Sequence, residues 1–162
     1  MLKVVPVVAG GGIATARGVA ACLAAGAAAV RVGTRLLATE ESGAHPRYVA
    51  ALLDAGAEDA VLTDAFSVMW PNGPEPHRTL RVALEAAEAF QGEVVGETRM
   101  GGATLPVPRF GVPCPNRDTT GTVAAMVHYA GQGVGATRQV RPAAEVVAEL
   151  ASGAERLLRR WS

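Results

Sequence analysis

Two glycine turns, each closing a short apolar run, constrain this chain more than any other feature. Val4–Ala9 reads as a strand covered on both faces, and Gly10, Gly11 and Gly12 break it. Thr15 caps a helix predicted over Ala16–Ala25, with Gly26 suited to its stop. Ala28–Val32 is a second strand, closed by Gly33 and Thr34. Strand, turn, helix and strand in this order make a parallel βαβ unit, which sets both turns at the carboxyl ends of neighbouring strands. Glycine there lets backbone N–H groups approach an anion that a Cβ would hold off, and Thr34 adds a hydroxyl.

Gly33 follows Gly12 by 21 positions, a layout that matches the phosphate grip after the seventh and eighth strands of many (β/α)₈ barrels. A complete barrel needs about 200–250 residues, and this chain has 162. The fold class expected is therefore α/β, the C-terminal portion of a (β/α)₈ TIM barrel with a helical C-terminal extension. The βαβ unit occupies 3–40 and the extension 41–162 of a single partial domain. Two other readings of the turns stay open. Glycines end many strands without binding anything. Gly10-x-Gly12 also starts a dinucleotide fingerprint, but Thr15 stands where its third glycine belongs, and Arg31-Val32-Gly33 offers no acidic residue for a ribose.

Beyond the unit, a short helix starts at Leu36, and Pro46 opens another that runs to about Ala55. Ala60–Thr63 is a further strand, Trp70–His77 a turn-rich break, and Arg78–Phe90 a helix with Leu80, Leu84 and Ala87 on one face. Gly92–Gly121 is rich in glycine and proline and lacks a period, so it is expected to be a structureless lid over a cleft. Helices are predicted over Thr122–Gln132 and from Pro142 to about Arg160.

The charge is balanced, with Lys+Arg and Asp+Glu both at 15, which gives no electrostatic reason to expect nucleic acid or an anionic membrane. Cys22 and Cys114 stand 92 positions apart without metal-ligand spacing and read as reduced thiols. No uncharged stretch approaches the ~20 apolar residues of a span, and the N-terminus lacks the apolar core and cleavage site of a signal peptide. A cytoplasmic protein is expected.

The stretch PVVAGGGIATARGVAACLAAGAAAVRVGTRLLATEESGAHPRY resembles nitronate monooxygenases and is also similar to their relatives, the FMN-dependent enoyl-acyl-carrier-protein reductases. Both share the pattern strand–AGGI–helix–GA–strand–GTRF–ATEES–AH, from which this chain departs at Gly10 (usually Ala) and Leu36 (usually Phe). HYAGQGVGATRQVRPAAEVVAEL is similar to the end of a nitronate monooxygenase. The resemblance implies that Gly11, Gly12, Gly33 and Thr34 hold the phosphate of FMN, with Arg35 in the same turn. It implies oxidation of an alkyl nitronate by O₂ to a carbonyl compound and nitrite. An enoyl-acyl-carrier-protein reductase-like enzyme and a non-catalytic phosphate-binding module are the alternatives.

In that family the base is a histidine from an earlier loop, one expected to precede Met1. The partners expected are thus the small substrate and O₂, with a missing N-terminal barrel half or a second copy of the chain. His45 reads as a helix cap, His77 as a solvent-facing turn residue and His128 as a packing residue. Tyr129 and Gln132, three apart on a predicted helix, could share a face toward flavin or substrate. Glu40 and Glu41 are neighbours in sequence only, because adjacent helical residues do not face each other.

Overall fold

The computed structural model describes residues 5–160. Strands β1 (Val8–Gly10) and β2 (Ala29–Arg31) pair in parallel, with Val8 opposite Ala29 and Gly10 opposite Arg31. Helix α1 (Ala16–Ala24) connects them, and the Thr15 hydroxyl accepts from the Gly18 N–H at 3.1 Å, as its cap position requires. The βαβ unit expected from the glycine turns is therefore present. Val4, the start of the predicted first strand, lies outside the described residues.

The unit leans on the C-terminal helix α5 (Ala143–Leu158), which packs against α1. Close approach there depends on small residues: a Cβ on Gly153 would lie 2.6 Å from that of Ala16. Between them come α2 (Thr34–Leu37) and α3 (Pro46–Asp54), then the antiparallel pair β3 (Ala60–Thr63) and β4 (His77–Leu80). Helix α4 (Arg81–Ala89) follows directly. The helix predicted from Arg78 thus starts three residues later, because Arg78–Leu80 is drawn into pairing with β3. Tyr48, Leu52, Leu80, Ala130 and Val134 form one core here.

The expected lid is a correction. Gly92–Gly121 holds strands β5 (Val94–Met100), β6 (Ala103–Pro108) and β7 (Thr120–Gly121), arranged in the order β6-β5-β7. Gly101 and Gly102 make the hairpin turn with φ of +59° and +87°, a region that glycine enters without a Cβ penalty. The Thr98 and Thr119 hydroxyls bond at 2.8 Å inside the protein. Val95 and Val107 join Phe66, Met126 and Val127 in a second core, so glycine and proline here punctuate a small sheet.

Nor is Thr122–Gln132 a helix. After a 3₁₀ turn at Val123–Ala125 the chain runs extended beside β4, with Leu80 N–H donating to His128 O (2.9 Å) and Ala130 N–H to Arg78 O (3.1 Å). Met126, Val127 and His128 are all buried, and three consecutive buried positions fit a covered strand-like segment better than a one-faced helix. The strands form three separate small sheets among the described residues, and Val8 on β1 and Val7 just before it stay exposed. No helix of the described residues is long and apolar enough to cross a membrane.

Candidate functional site

The turn after β1 and the turn after β2 open on one cavity of about 590 Å³. Gly11 and Gly12 adopt φ of +96° and +70°, where an L side chain is strained. Nothing lies within 4 Å of the point that a Cβ would occupy on Gly11, Gly12 or Gly33. The backbone is thus bare toward the cavity at three positions, and Thr34 completes the same wall.

A third segment closes the arrangement, through its glycines and not through the Tyr129 and Gln132 side chains that the sequence pointed to. A 3₁₀ turn at Gln132–Ala136 carries Gly133 onto the β1 turn, and Gly131 precedes it. Gly131 N–H donates to the Thr34 hydroxyl at 2.9 Å, which leaves the hydroxyl proton free to point elsewhere. A Cβ on Gly133 would sit 3.0 Å from Ala14 Cβ and 3.2 Å from Gly12 O, so only glycine fits without moving that turn. The doublet of glycines in YAGQG was the available sign.

Arg31 also lines the cavity, the one charged residue among those described that does. Arg35 does not. Its buried side chain turns toward α5, with Nη2 at 3.8 Å from a Glu149 carboxylate oxygen and Nη1 without a partner. Glu149 in turn pairs with Arg141, which also reaches Glu145 at 3.3 Å. Arg35 therefore fastens α2 to α5 from behind the cavity wall.

Tyr129 and Gln132 do not share a helical face. Tyr129 borders an adjoining cavity of about 390 Å³ with Thr34, Leu37 and Arg78. Its hydroxyl donates to Val112 O at 3.2 Å, and its ring meets His77 edge-on at 5.3 Å. Gln132 is exposed and lines another groove, which shares Gly11, Gly12, Ile13 and Gly133 with the first cavity and extends beside Glu58 and Arg138.

None of the three histidines lines these cavities. His45 caps α3, its Nδ1 accepting from Arg47 N–H at 3.1 Å, and burial together with Arg47 lowers its pKa. His128 is buried and stacked on Tyr48 at 4.6 Å. Its Nε2–H donates to Val123 O at 3.2 Å, and burial depresses its pKa to about 4, so the ring is neutral at pH 7. His77 corrects the expectation of a solvent-facing turn residue: it stands in β4, with Nδ1 2.9 Å from Glu75 O and Nε2 buried. The neighbouring glutamates part company. The Glu41 carboxylate caps α5 through Ala143 N–H at 2.9 and 3.1 Å, while the Glu40 carbonyl accepts from Arg117.

Fold and cavity together define an α/β protein with a glycine-walled cavity at the carboxyl ends of two parallel strands. The nitronate monooxygenase family model matches residues 2–153, and the chain belongs to that family. It is 36% identical over 91 residues to a probable nitronate monooxygenase of Bacillus subtilis, covering 56% of this chain and 25% of that protein. It is 32% identical to a nitronate monooxygenase of Paraburkholderia phytofirmans, covering 90% of this chain and 37% of that one. The nitroalkane oxidase structure from Streptomyces ansochromogenes superposes with a TM-score of 0.66 at 30% identity, over 99% of this chain and 42% of that chain. The chain thus spans less than half the length of each.

Proposed function

We propose that this chain provides the phosphate clamp of an FMN-dependent nitronate monooxygenase, which oxidises alkyl nitronates with O₂ to carbonyl compounds and nitrite. The observation that carries this reading is the bare backbone at Gly11, Gly12 and Gly33 beside the Thr34 hydroxyl, in a cavity that no carboxylate of the described residues lines. A phosphate monoester suits that wall, because amides and a hydroxyl can donate to its oxygens from two sides. When bound, FMN supplies the redox chemistry. The chain's residues hold and orient it. Gly11 and Gly12 offer the β1 turn, Gly33 and Thr34 the β2 turn, and Gly131 steers the Thr34 proton toward the phosphate.

In this reading Arg35 acts on the clamp only through α2, and Tyr129 walls the space next to it. Gln132, in the groove beside Glu58 and Arg138, is assigned no contact with flavin. The base that takes the substrate's proton is proposed to lie outside the described residues, since His45, His77 and His128 are occupied elsewhere. β1 and β2 are proposed as neighbouring strands of a (β/α)₈ barrel whose other strands cover the exposed Val7 and Val8.

Gly12→Val tests the clamp. A branched side chain at φ +70° both fills the cradle and strains the turn. The expected result is loss of FMN binding with the far-ultraviolet circular dichroism retained. A folded variant that binds FMN as the parent does overturns the assignment.

A further inference from the structure

We propose that Arg31 is a specificity-determining residue of this site, supplying the side-chain cation that selects a dianionic phosphate monoester over its uncharged counterpart. The inference rests on the reading of the cavity as a phosphate clamp and adds the one charged group that reading did not use.

Three observations carry it. Among the described residues Arg31 is the only charged one that lines the cavity, and no carboxylate of theirs is placed there to neutralise it. Its side chain makes no hydrogen bond or ion pair among the described residues, as is also true of Arg17, Arg99 and Arg160, but of these Arg31 alone lines the cavity. Arg35, Arg78, Arg109, Arg117, Arg138 and Arg141 are engaged. Its cross-strand partner is Gly10, and a Cβ on Gly10 would lie 3.7 Å from Arg31 Cβ on the same face. Gly10 thus contributes no side chain to crowd the guanidinium beside the Gly11–Gly12 turn.

The position on β2 completes the case. Arg31 and Gly33 are two residues apart, roughly 6.6 Å along a strand, and both line the cavity. A guanidinium presents paired N–H donors that match two oxygens of one phosphate. Backbone amides alone favour any compact anion, whereas a guanidinium adds a full charge that rewards the second negative charge of a phosphate monoester. Arg31 lies on an exposed strand position, so replacing it leaves the cores intact.

The test titrates micromolar FMN and, separately, riboflavin with the 162-residue chain, following flavin fluorescence, for the parent and for Arg31→Gln. The parent is expected to prefer FMN. The variant is expected to lose about ten- to a hundredfold in FMN affinity, the worth of a hydrogen-bonded charge, with riboflavin affinity unchanged. If the parent prefers FMN and the variant keeps that preference, the role of Arg31 is refuted while the clamp stands. A parent with no preference for FMN refutes the clamp and this inference together. Equal losses for both flavins refute the inference, because they mark a structural effect. Arg31→Met, which keeps the aliphatic stem, takes the place of the Gln variant should that one not fold.

Discussion

The Gly131 backbone N–H donates to the Thr34 hydroxyl at 2.9 Å, joining residues 97 positions apart across the mouth of the glycine-walled cavity. A hydroxyl that accepts there has its own proton to give. The bond therefore couples the orientation of one proposed phosphate donor to the correct seating of a distant turn.

Replacing Thr34 tests that coupling. Thr34→Val keeps the shape and removes the acceptor, leaving the partly buried Gly131 N–H unpaired. The expected cost is about 1–3 kcal/mol of stability, read as a lower midpoint in urea, together with weaker FMN binding. Thr34→Ser is expected to restore FMN binding. A Thr34→Val protein with parental stability and FMN affinity contradicts the coupling.

Gly133 is the steric counterpart. Gly133→Ala brings a Cβ to 3.0 Å from Ala14 Cβ and 3.2 Å from Gly12 O, so the β1 turn must shift by a few tenths of an ångström. Overpacking of this kind costs about 1–3 kcal/mol. FMN affinity is expected to fall with it, and pairing the change with Ala14→Gly should recover part of both losses. Full tolerance of the alanine, measured by thermal unfolding and flavin titration, would show that the turn does not depend on Gly133.

What the sequence revealed and what it hid follow the same physics. The βαβ unit was legible because its signals are local: Thr15 caps one turn away, and glycines follow each apolar run directly. That Gly11, Gly12, Gly33 and Thr34 lie side by side was legible for that reason, and they line one cavity. Arg35 sits in the same tetrapeptide but points behind the wall, since its carboxylate partner Glu149 lies on a helix more than a hundred residues later. The β5–β6 hairpin was missed although its pairing, Thr98 with Leu105 and Arg99 with Thr104, is local and turns on Gly101-Gly102, because proline and glycine inside its strands hide the strand period. Tyr129 and Gln132 were joined by an assumed helical period, while extended backbone beside β4 sends them to different cavities.

His128 links stability to pH. Its folded-state pKa is depressed to about 4 from 6.5, chiefly by burial. Above pH 6.5 the ring is neutral in both folded and unfolded chains, and its contribution is fully present. As pH falls from 6.5 toward 4, the unfolded chain takes up a proton that the folded one refuses, so stability declines by up to ~3 kcal/mol. Below about 4 the histidine adds no further loss. Urea midpoints at pH 7 and pH 5 should differ in the parent and differ less in His128→Gln. An equal pH dependence in both proteins would rule out His128 as its source; His45, whose pKa is also lowered, acts in the same direction and remains in both.

The central claim is that phosphate binds over the turns after β1 and β2. Backbone amide resonances of the isotopically labelled chain, followed while FMN is added, test it most directly. The account predicts that the largest shifts fall on Gly11, Gly12, Gly33 and Thr34, and that riboflavin does not reproduce them. Shifts confined to Glu58, Gln132 and Arg138, or no FMN-specific shift at the four clamp residues, would contradict it.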